Sequence, residues 1–301
     1  MLDFKPVKIE DKILINSFLH QYHHNSLEYL FTTLFAWQEG YGFEWDIFVD
    51  KWLILKSTFE NRTACFCPLG PNKNVGEALQ AISEWFEAQG LPLTYTEVLE
   101  EDLVVFKNFY AGQKFEIVPR RDLANYVYQI KNLIALKGNI YKEKRNHISH
   151  FCKICPDWKF LPIDADTLPL CKDELKIWFE QKHRFNDSGI IIEKQAIDKI
   201  FNNLADLDCF GFCLVCDDKV VAFTLGEALT KDTAAILLEK ANKDLRGAFA
   251  MIHKLYLEAS WQKFTFVNRG EDLGDPGLKK AKESYQPSQM VMKYDILFYM
   301  S

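Results

Sequence analysis

The order of helical and strand-like segments repeats along the chain, and this repeat limits the folds open to it. In each half, the apolar spacing predicts helices, then an antiparallel meander, and then a helix–strand–helix–strand series. The apolar pattern is interrupted at residues 119–122. We therefore predict a duplicated fold with units 1–120 and 121–301. Each should be an α/β (α+β) domain whose helices flank a mixed, largely antiparallel sheet.

Length and charge narrow the class of protein. A chain of 301 residues with 48% hydrophobic residues suits two globular domains. The net charge of −6 argues against a protein that coats nucleic acid non-specifically. A local basic patch is still compatible with this net charge. No apolar run reaches the ~18 residues of a membrane span, and no signal peptide is apparent. We expect a cytoplasmic protein whose eight cysteines are reduced thiols.

Three stretches of sequence, taken together, resemble one protein family. They are residues 141–148, 239–241 and 267–287, which contain the segments YKEKRNHI, EKA and VNRGEDLG. This set resembles the family named after the C-terminal domain of phosphatidylglycerol lysyltransferase. The order of predicted elements extends the resemblance over nearly the whole chain.

The resemblance implies both a fold and an activity. The fold is a tandem pair of GNAT-type (acyl-CoA N-acyltransferase) domains, similar also to the Fem-type peptidoglycan aminoacyltransferases. Family members of known chemistry move an aminoacyl group from charged tRNA to an amine or hydroxyl acceptor. Members without the membrane domain, of which this chain is expected to be one, are mostly of unassigned function.

Three functions therefore stay open. The leading hypothesis is a transferase that uses aminoacyl-tRNA, requires no cofactor, and modifies a small-molecule, peptide or lipid head-group acceptor. The second is an acyl-CoA-dependent N-acyltransferase. The third is a non-catalytic module that binds an anion or another ligand, since a fold does not determine a function.

The turn before the central helix of the second unit is where a GNAT fold binds the donor pyrophosphate, because helix N-termini attract anions. The candidate donor-binding residues there are Lys243, Arg246, Gly247 and Ala248. The usual acyl-CoA pattern is Gln/Arg-x-x-Gly-x-Gly/Ala. When its first glycine is aligned with Gly247, Asp244 occupies the first position and Phe249 the last. The acidic side chain and the bulky ring both oppose close approach of a phosphate. This departure argues against ordinary acetyl-CoA use. The alternative is a plain turn in which glycine supplies backbone freedom.

A basic stretch covers residues 131–153, with six basic side chains against one acid. A local excess of positive charge suits tRNA phosphate, CoA phosphate or a lipid head group. The candidate substrate-binding residues here are Lys142, Lys144, Arg145, Asn146 and His147. The alternative is a solvated helix face.

A polar loop follows an apolar strand of the second unit, and such loops are favoured places for a site. Asn268 and Arg269 are candidate substrate-binding residues, because a guanidinium can hold a carboxylate or phosphate bidentately. Glu271 and Asp272 are candidate catalytic residues that orient or deprotonate an acceptor amine. Alternatively, Asp272 caps a helix and pairs with Arg269.

Two further catalytic candidates flank this loop in sequence. Glu239 lies on an apolar strand, where burial could raise its pKa and make it a base. Tyr285 is a candidate general acid by analogy with GNAT enzymes. The alternatives are a salt-bridged or solvent-facing Glu239 and a Tyr285 that packs in the core.

Metal-binding patterns are weak. The Cys-x-x-Cys pairs at 152–155 and 213–216 are too far apart for a usual zinc module, and the second lies on a predicted strand. The histidines at positions 20, 23 and 24 have no accompanying glutamate in a zinc-protease pattern. We predict no metal site.

Overall fold

The computed structural model describes residues 2–22, 24–71, 75–181 and 188–299. Two residues that the sequence predictions involve lie outside these ranges. They are His23 of the histidine group and Lys182, where the apolar spacing predicts the end of a helix over residues 173–182. The chain divides into two compact units. Residues 1–124 and 291–301 form unit 1, and residues 125–290 form unit 2.

The helices and strands are numbered in chain order. The strands are β1 Lys5–Pro6, β2 Glu44–Phe48, β3 Trp52–Phe59, β4 Arg62–Cys65, β5 Thr94–Leu99, β6 Phe115–Pro119, β7 Asn125–Gln129, β8 Lys159–Pro162, β9 Phe210–Cys216, β10 Lys219–Ala228, β11 Thr233–Ala241, β12 Phe266–Asn268, β13 Gln289–Val291 and β14 Lys293–Phe298. The α-helices are α1 Lys12–Leu19, α2 Phe31–Ala36, α3 Gln38–Tyr41, α4 Val75–Gln89, α5 Leu103–Phe109, α6 Ile130–Ala135, α7 Lys142–Ile154, α8 Leu168–Gln181, α9 Ser188–Asn202, α10 Ala248–Ser260 and α11 Pro276–Glu283. Within the described ranges, no helix has the length and apolar character needed to cross a membrane.

Each unit contains one mixed sheet, as predicted. The strand order is β1-β2-β3-β4-β5-β14-β6 in unit 1 and β13-β7-β12-β11-β10-β9-β8 in unit 2. Strands β4 and β5 pair in parallel, as do β11 and β12, whereas the neighbouring pairs are antiparallel. A parallel pair requires a crossover, and α4 and α10 supply it in the two units.

The last strand does not belong to the sheet of the second half. Strand β14 lies between β5 and β6 in the unit 1 sheet, where Lys293 is opposite Leu99 and Tyr294 is opposite Pro119. The predicted unit 121–301 placed this strand with the second half. An apolar period identifies a strand but carries no information about its partner, so sequence order alone put it in the wrong sheet.

The apolar positions of residues 14–35 have helical spacing, but they do not lie on one helix. Helix α1 ends at Leu19, and α2 begins at Phe31. The intervening Leu27 and Tyr29 are buried in a short 3-10 turn. Apolar residues can therefore keep helical spacing and reach the core without continuous helix. In contrast, α4 buries Ala78, Leu79, Ile82 and Phe86 on one face.

The expectation that every cysteine is a reduced thiol is wrong for one pair. Cys155, directly after α7, and Cys216, at the end of β9, form a disulfide with a Cα–Cα distance of 5.9 Å. The two residues are 61 positions apart, so their spacing in sequence could not reveal the bond. The disulfide joins the end of α7 to β9 within a buried cluster of unit 2.

Candidate functional site

The unit 2 sheet opens between β11 and β12. The two strands pair only from Thr233 to Ala235 on β11, opposite β12, and β11 then runs on to Ala241 without this partner. We term this divergence the unit 2 fork. Glu239 lies on the part of β11 that extends beyond β12 and pairs only with β10, and Arg269 follows β12 directly.

Side chains bridge the unit 2 fork. Arg269 Nη2 donates to Glu239 Oε1 at 3.0 Å, and these side chains are only 7% and 5% exposed. A buried ion pair is costly to desolvate, and removing one partner leaves an uncompensated charge. The structure therefore brings together two of the predicted site residues that lie 30 positions apart in sequence.

A third side chain, His253 of α10, completes this group. Its Nδ1 lies 2.8 Å from Glu239 Oε2, and its side chain is 1% exposed. A carboxylate can only accept, so the geometry assigns the proton to Nδ1 and leaves a lone pair on Nε2. In the described part of the chain, Nε2 has no hydrogen-bond partner. A carboxylate-oriented imidazole with a free lone pair is the arrangement of a general base.

The charges of this group are set by burial and by its own members. Burial alone would raise the pKa of Glu239, but His253 and Arg269 outweigh it and hold that pKa below its usual value. Burial, and then the positive charge of Arg269, lower the pKa of His253. Glu239 is thus an ionised anchor and His253 a neutral imidazole near pH 7. Of the alternatives that the sequence left open for Glu239, the structure shows the salt-bridged one. The alternative of a raised pKa has the wrong direction, because it does not include these partners.

Aromatic rings surround the guanidinium. The Arg269 Cζ lies 4.8 Å from the ring centroid of Tyr285 and 5.5 Å from that of Tyr128. Lys144 also approaches this group, since its Nζ is 4.1 Å from the Tyr285 ring centroid. Arg269 Nη1 is buried and, among the described residues, has no hydrogen-bond partner. This group can therefore offer an N–H to a developing negative charge.

Tyr285 itself packs at the centre of these contacts. Its ring lies 5.3 Å from the His253 ring in an edge-to-face arrangement. Burial raises the pKa of Tyr285 to about 12, so its hydroxyl stays protonated near neutral pH. The role of general acid remains a prediction for this residue.

The polar loop after β12 is held by buried hydrogen bonds. Lys282 Nζ donates to the carbonyl oxygens of Arg269, at 2.6 Å, and Glu271. Burial lowers the pKa of Lys282 to about 8. Asp272 accepts from the Tyr126 hydroxyl at 2.6 Å and is 2% exposed. Lys282 therefore holds the backbone at Arg269, and Asp272 ties the loop to β7.

The capping alternative for Asp272 was wrong. The residue that caps α11 is Asp275, whose Oδ1 accepts from the Leu278 N–H at 2.7 Å. Asn268 is buried and shapes the loop, since its Oδ1 accepts from the Gly270 N–H at 2.9 Å. Glu271 is half-buried, and its Oε2 lies 3.4 Å from Asn125 Nδ2.

The turn before α10 lies at residues 242–248, as the sequence predicts. Several of its backbone N–H groups already donate hydrogen bonds. The N–H groups of Asp244, Leu245 and Ala248 donate to acceptors within residues 242–248. Gly247 has a φ of 103°, and a Cβ there would lie 2.0 Å from the carbonyl oxygen of His147 on α7. Gly247 therefore serves close packing between α7 and α10. Lys243 and Arg246 are exposed, whereas Ala248 is in the core.

Only one side chain of the basic stretch reaches the unit 2 fork. Lys144 is half-buried against Tyr285, whereas Lys142 and Asn146 are exposed. The Arg145 guanidinium turns back to the carbonyl oxygens of residues 136 and 138, so it stabilises the segment before α7. The His147 side chain lies 3.7 Å from that of Glu143 on the same helix. These residues were grouped in the sequence by their charge, but their side chains point in different directions from α7.

Sequence reasoning missed His253, Tyr128 and Lys282. The available signal was weak. His253 is a polar residue among the largely apolar buried positions of α10, and a histidine in such a place often serves only packing. Within the described ranges, no three His, Cys, Asp or Glu side chains converge to hold a metal ion.

Comparison with known proteins identifies the fold as a tandem pair of GNAT-type units. The chain belongs to the family described as phosphatidylglycerol lysyltransferase, C-terminal, whose sequence model matches residues 19–297. A tandem GNAT protein from the clavulanic acid biosynthesis pathway superposes with a TM-score of 0.51 at 8% identity, covering 100% of both chains. The predicted family and fold class are therefore confirmed.

Individual relatives carry little functional information. A conserved protein of unknown function from Bacteroides thetaiotaomicron is 27% identical, with a TM-score of 0.93 over 99% of this chain and 100% of that one. The structure of L-PGS from Bacillus licheniformis is 14% identical, with a TM-score of 0.68 over 98% and 93% of the two chains. An uncharacterized protein of Mycoplasmoides gallisepticum is 19% identical over 196 residues, and this match spans 63% of that relative and 64% of this chain.

Proposed function

We propose that this protein transfers an aminoacyl group from aminoacyl-tRNA to an amine or hydroxyl acceptor at the unit 2 fork. The observation that carries the proposal is the buried His253, oriented by Glu239 at 2.8 Å with its Nε2 unpartnered. Such a base suits a reaction whose acceptor must lose a proton. Membership in the phosphatidylglycerol lysyltransferase C-terminal family supports the aminoacyl group as the cargo.

The reaction is an acyl substitution in which each group has a role. His253 Nε2 takes the proton from the acceptor N–H or O–H, and the freed lone pair attacks the carbonyl carbon of the aminoacyl ester. Arg269 Nη1 donates to the oxygen that becomes negative in the transition state. The ester bond then breaks, and the departing ribose oxygen of the tRNA receives the proton from His253. The acceptor leaves with a new amide or ester bond.

Glu239 and the aromatic rings serve this chemistry indirectly. The ionised Glu239 fixes the imidazole tautomer and holds Arg269, as the oriented base of a catalytic triad is held by its carboxylate. Tyr128 and Tyr285 surround the guanidinium and limit its contact with water. A low local dielectric strengthens the interaction between Arg269 and a developing charge.

The donor is argued from the turn before α10. A CoA pyrophosphate would need free N–H groups at the helix N-terminus. In this chain three N–H groups of residues 242–248 already donate within the turn, and Asp244 adds a negative charge. These features disfavour acyl-CoA, which is the second candidate, and favour a donor held elsewhere by its phosphates.

We therefore predict that CoA does not stabilise the protein. A ligand present at about 100 times its Kd raises the unfolding free energy by about 2.7 kcal/mol, which a melting curve detects easily. With CoA or acetyl-CoA at about 1 mM, a range that would saturate a micromolar site, the Tm should stay unchanged. A clear rise in Tm would favour the acyl-CoA reaction instead.

The transfer itself is tested with a charged tRNA pool. Bulk tRNA carrying labelled amino acids is incubated with the protein and with a panel of amines, peptides and lipids, and the products are identified by mass. We expect one acceptor class to gain an aminoacyl group. If no acceptor is labelled and the protein shows no tRNA affinity at low salt, where phosphate contacts are strongest, the proposal fails.

A further inference from the structure

The Cys155–Cys216 disulfide lies at the ends of two elements of unit 2. Cys155 directly follows α7, and Cys216 is the last residue of β9. The two residues are only 2% and 5% exposed, but their neighbours at positions 153, 154, 156, 157 and 217–219 are exposed. Helix ends and turns open locally more easily than the centre of a sheet. A small local opening therefore brings this bond into contact with solvent.

The other six cysteines are free thiols, and Cys152 is the one nearest in sequence to the bond. Cys152 comes three residues before Cys155, a separation that puts two side chains on the same face of a helix. It is partly exposed, and it packs against the buried cluster that contains both bonded cysteines. A thiolate exchanges with a disulfide when it reaches one of the sulfurs. The single disulfide of this chain therefore has a possible exchange partner on its own helix.

Helix α7, which the disulfide ties to β9, packs against α10. Phe151 of α7 is fully buried in a cluster that includes residues of α10. Gly247, directly before α10, leaves room for the carbonyl oxygen of His147. His150 Nδ1 lies 3.3 Å from the carbonyl oxygen of Arg246. These contacts all lie in the part of α7 that leads to the disulfide.

Helices α7 and α10 each contribute a side chain to the unit 2 fork. Lys144, in the first turn of α7, lies against the Tyr285 ring, and His253 of α10 lies against Glu239. One end of α7 is thus at the fork and the other is at the disulfide. A cross-link limits how far two elements can separate, so its loss makes local opening of α7 more frequent. The state of the bond therefore affects how firmly α7 is held beside the fork.

We propose that the Cys155–Cys216 disulfide is a reversible exchange site for small thiols, and that its redox state controls the unit 2 fork. We term this site the redox clamp. In the oxidised protein, the end of α7 is tied to β9. In the reduced protein, α7 keeps its packing against α10, but its last turns open more often.

The exchange balances in atoms and electrons. The thiolate of one small thiol attacks a sulfur of the protein bond and forms a mixed disulfide, while the other cysteine leaves as a thiolate and takes up a proton. A second small thiolate then attacks the small-molecule sulfur of the mixed disulfide and releases the remaining cysteine. The protein gains two electrons and two protons, and the two small thiols lose them and become a disulfide. That disulfide reverses the reaction when it is in excess.

Only the effect of the redox clamp on activity rests on the transfer reaction proposed above. The opening of the bond and the hold on α7 are measured without any substrate. If the protein transfers nothing in either redox state, the results of these two measurements stand by themselves. If the bond resists reduction in an active protein, the redox clamp fails and the transfer mechanism is unaffected.

Thiol trapping in the native protein tests the redox clamp. The protein is equilibrated with mixtures of reduced and oxidised glutathione and labelled with a maleimide, and the labelled cysteines are identified by mass. We expect Cys155 and Cys216 to become labelled as the ratio of reduced to oxidised glutathione rises from about 1 to 100, and to be protected again after oxidation. Cys65, which is 0% exposed in unit 1, should stay unlabelled, because the protein remains folded.

A control variant assigns the response to this bond. Cys152→Ser keeps both bonded sulfurs and should open at the same glutathione ratio as the native protein. Cys155→Ser combined with Cys216→Ser removes the bond and should make the protein insensitive to glutathione. If this double variant folds poorly, reduction of the native protein provides the same comparison.

Hydrogen exchange and transfer rates measure the effect on α7 and on the fork. Reduction should speed amide exchange in residues 148–155 at least about tenfold, whereas α4 of unit 1 should exchange as before. The transfer rate of the native protein should fall on reduction. The double variant should have the low rate with and without glutathione.

Four results would overturn the redox clamp. The first is a bond that stays closed at every glutathione ratio, as a purely structural disulfide does. The second is labelling of Cys155 and Cys216 only together with Cys65, which would mean that the bond opens only on unfolding. The third is unchanged exchange in α7 after reduction. The fourth is an equal transfer rate in both redox states, which would remove control of the fork.

Discussion

We expect His253→Gln to lower the rate of the proposed aminoacyl transfer by about 10²- to 10⁴-fold, the usual contribution of a general base. Glutamine keeps a polar side chain near Glu239 but has no basic nitrogen, so the acceptor keeps its proton when it approaches the ester. Affinity for tRNA should stay unchanged, because the proposed mechanism gives His253 a role in proton transfer and none in phosphate binding. Single-turnover rates with saturating charged tRNA measure the effect, and tRNA titration measures affinity.

The pH profile separates a base from a structural residue. Burial and the charge of Arg269 keep the pKa of His253 below its usual value. The native rate should therefore be constant near pH 7 and above, and fall at lower pH as the imidazole gains a proton. In His253→Gln this acid limb should disappear. The exposed His20, replaced by glutamine, is the matched control, and its rate and profile should equal those of the native protein.

Native activity in His253→Gln would contradict the assignment. The same conclusion would follow if the rate of the variant fell at low pH in the same way as that of the native protein. A variant that loses both activity and Tm would instead indicate a packing role, since the imidazole is buried against Tyr285 and Glu239.

Gly247→Ala destabilises unit 2 by several kcal/mol. At φ 103° a side chain is strained, which costs about 1–3 kcal/mol, and overpacking costs about as much again. The clash is with backbone, because the new Cβ would lie 2.0 Å from the His147 carbonyl oxygen. The loss of unfolding free energy is measured by denaturant unfolding, monitored with a spectroscopic probe in unit 2.

A matched glycine isolates the clash. Gly138, also in unit 2, has a φ of 86°, but a Cβ there would meet nothing within 4 Å. Gly138→Ala should cost only the backbone strain, about 1–3 kcal/mol at its φ of 86° and ψ of 174°. If the two variants lose equal stability, then α7 does not pack on Gly247 as described.

The turn before α10 could be predicted from the sequence in its position but not in its packing. Residues 242–248 could be placed from the sequence, because an apolar strand, a polar turn and an amphipathic helix each have a clear period. The departure at Asp244 was also visible. That Gly247 serves packing against α7 was not, since its clash partner His147 lies 100 positions earlier and only the folded chain brings them together.

For the same reason, only part of the candidate site could be predicted from the sequence. Glu239 and Arg269 stood out as polar residues within or directly after apolar strands, and their pairing across the fork follows from the parallel order of β11 and β12. His253 did not stand out, because its significance depends on the 2.8 Å contact with Glu239. The direction of the Glu239 pKa shift depends on that contact too.

Larger features of topology were equally hidden. The apolar alternation of β14 predicted a strand, but hydrogen bonding to β5 and β6 is a property of the assembled unit 1. The Cys155–Cys216 disulfide likewise depends on proximity between the end of α7 and β9. Local patterns report local structure, whereas partners are chosen by the packing of the whole unit.

A double-label transfer experiment tests the central claim most directly. The protein is given ¹⁴C-labelled aminoacyl-tRNA and ³H-labelled acetyl-CoA together, with the acceptor panel, and the native protein is compared with His253→Gln. We predict ¹⁴C in the acceptor, no ³H, and a loss of the ¹⁴C product in the variant. Transfer of ³H, or ¹⁴C transfer that does not depend on His253, would contradict the assignment of aminoacyl transfer to the unit 2 fork.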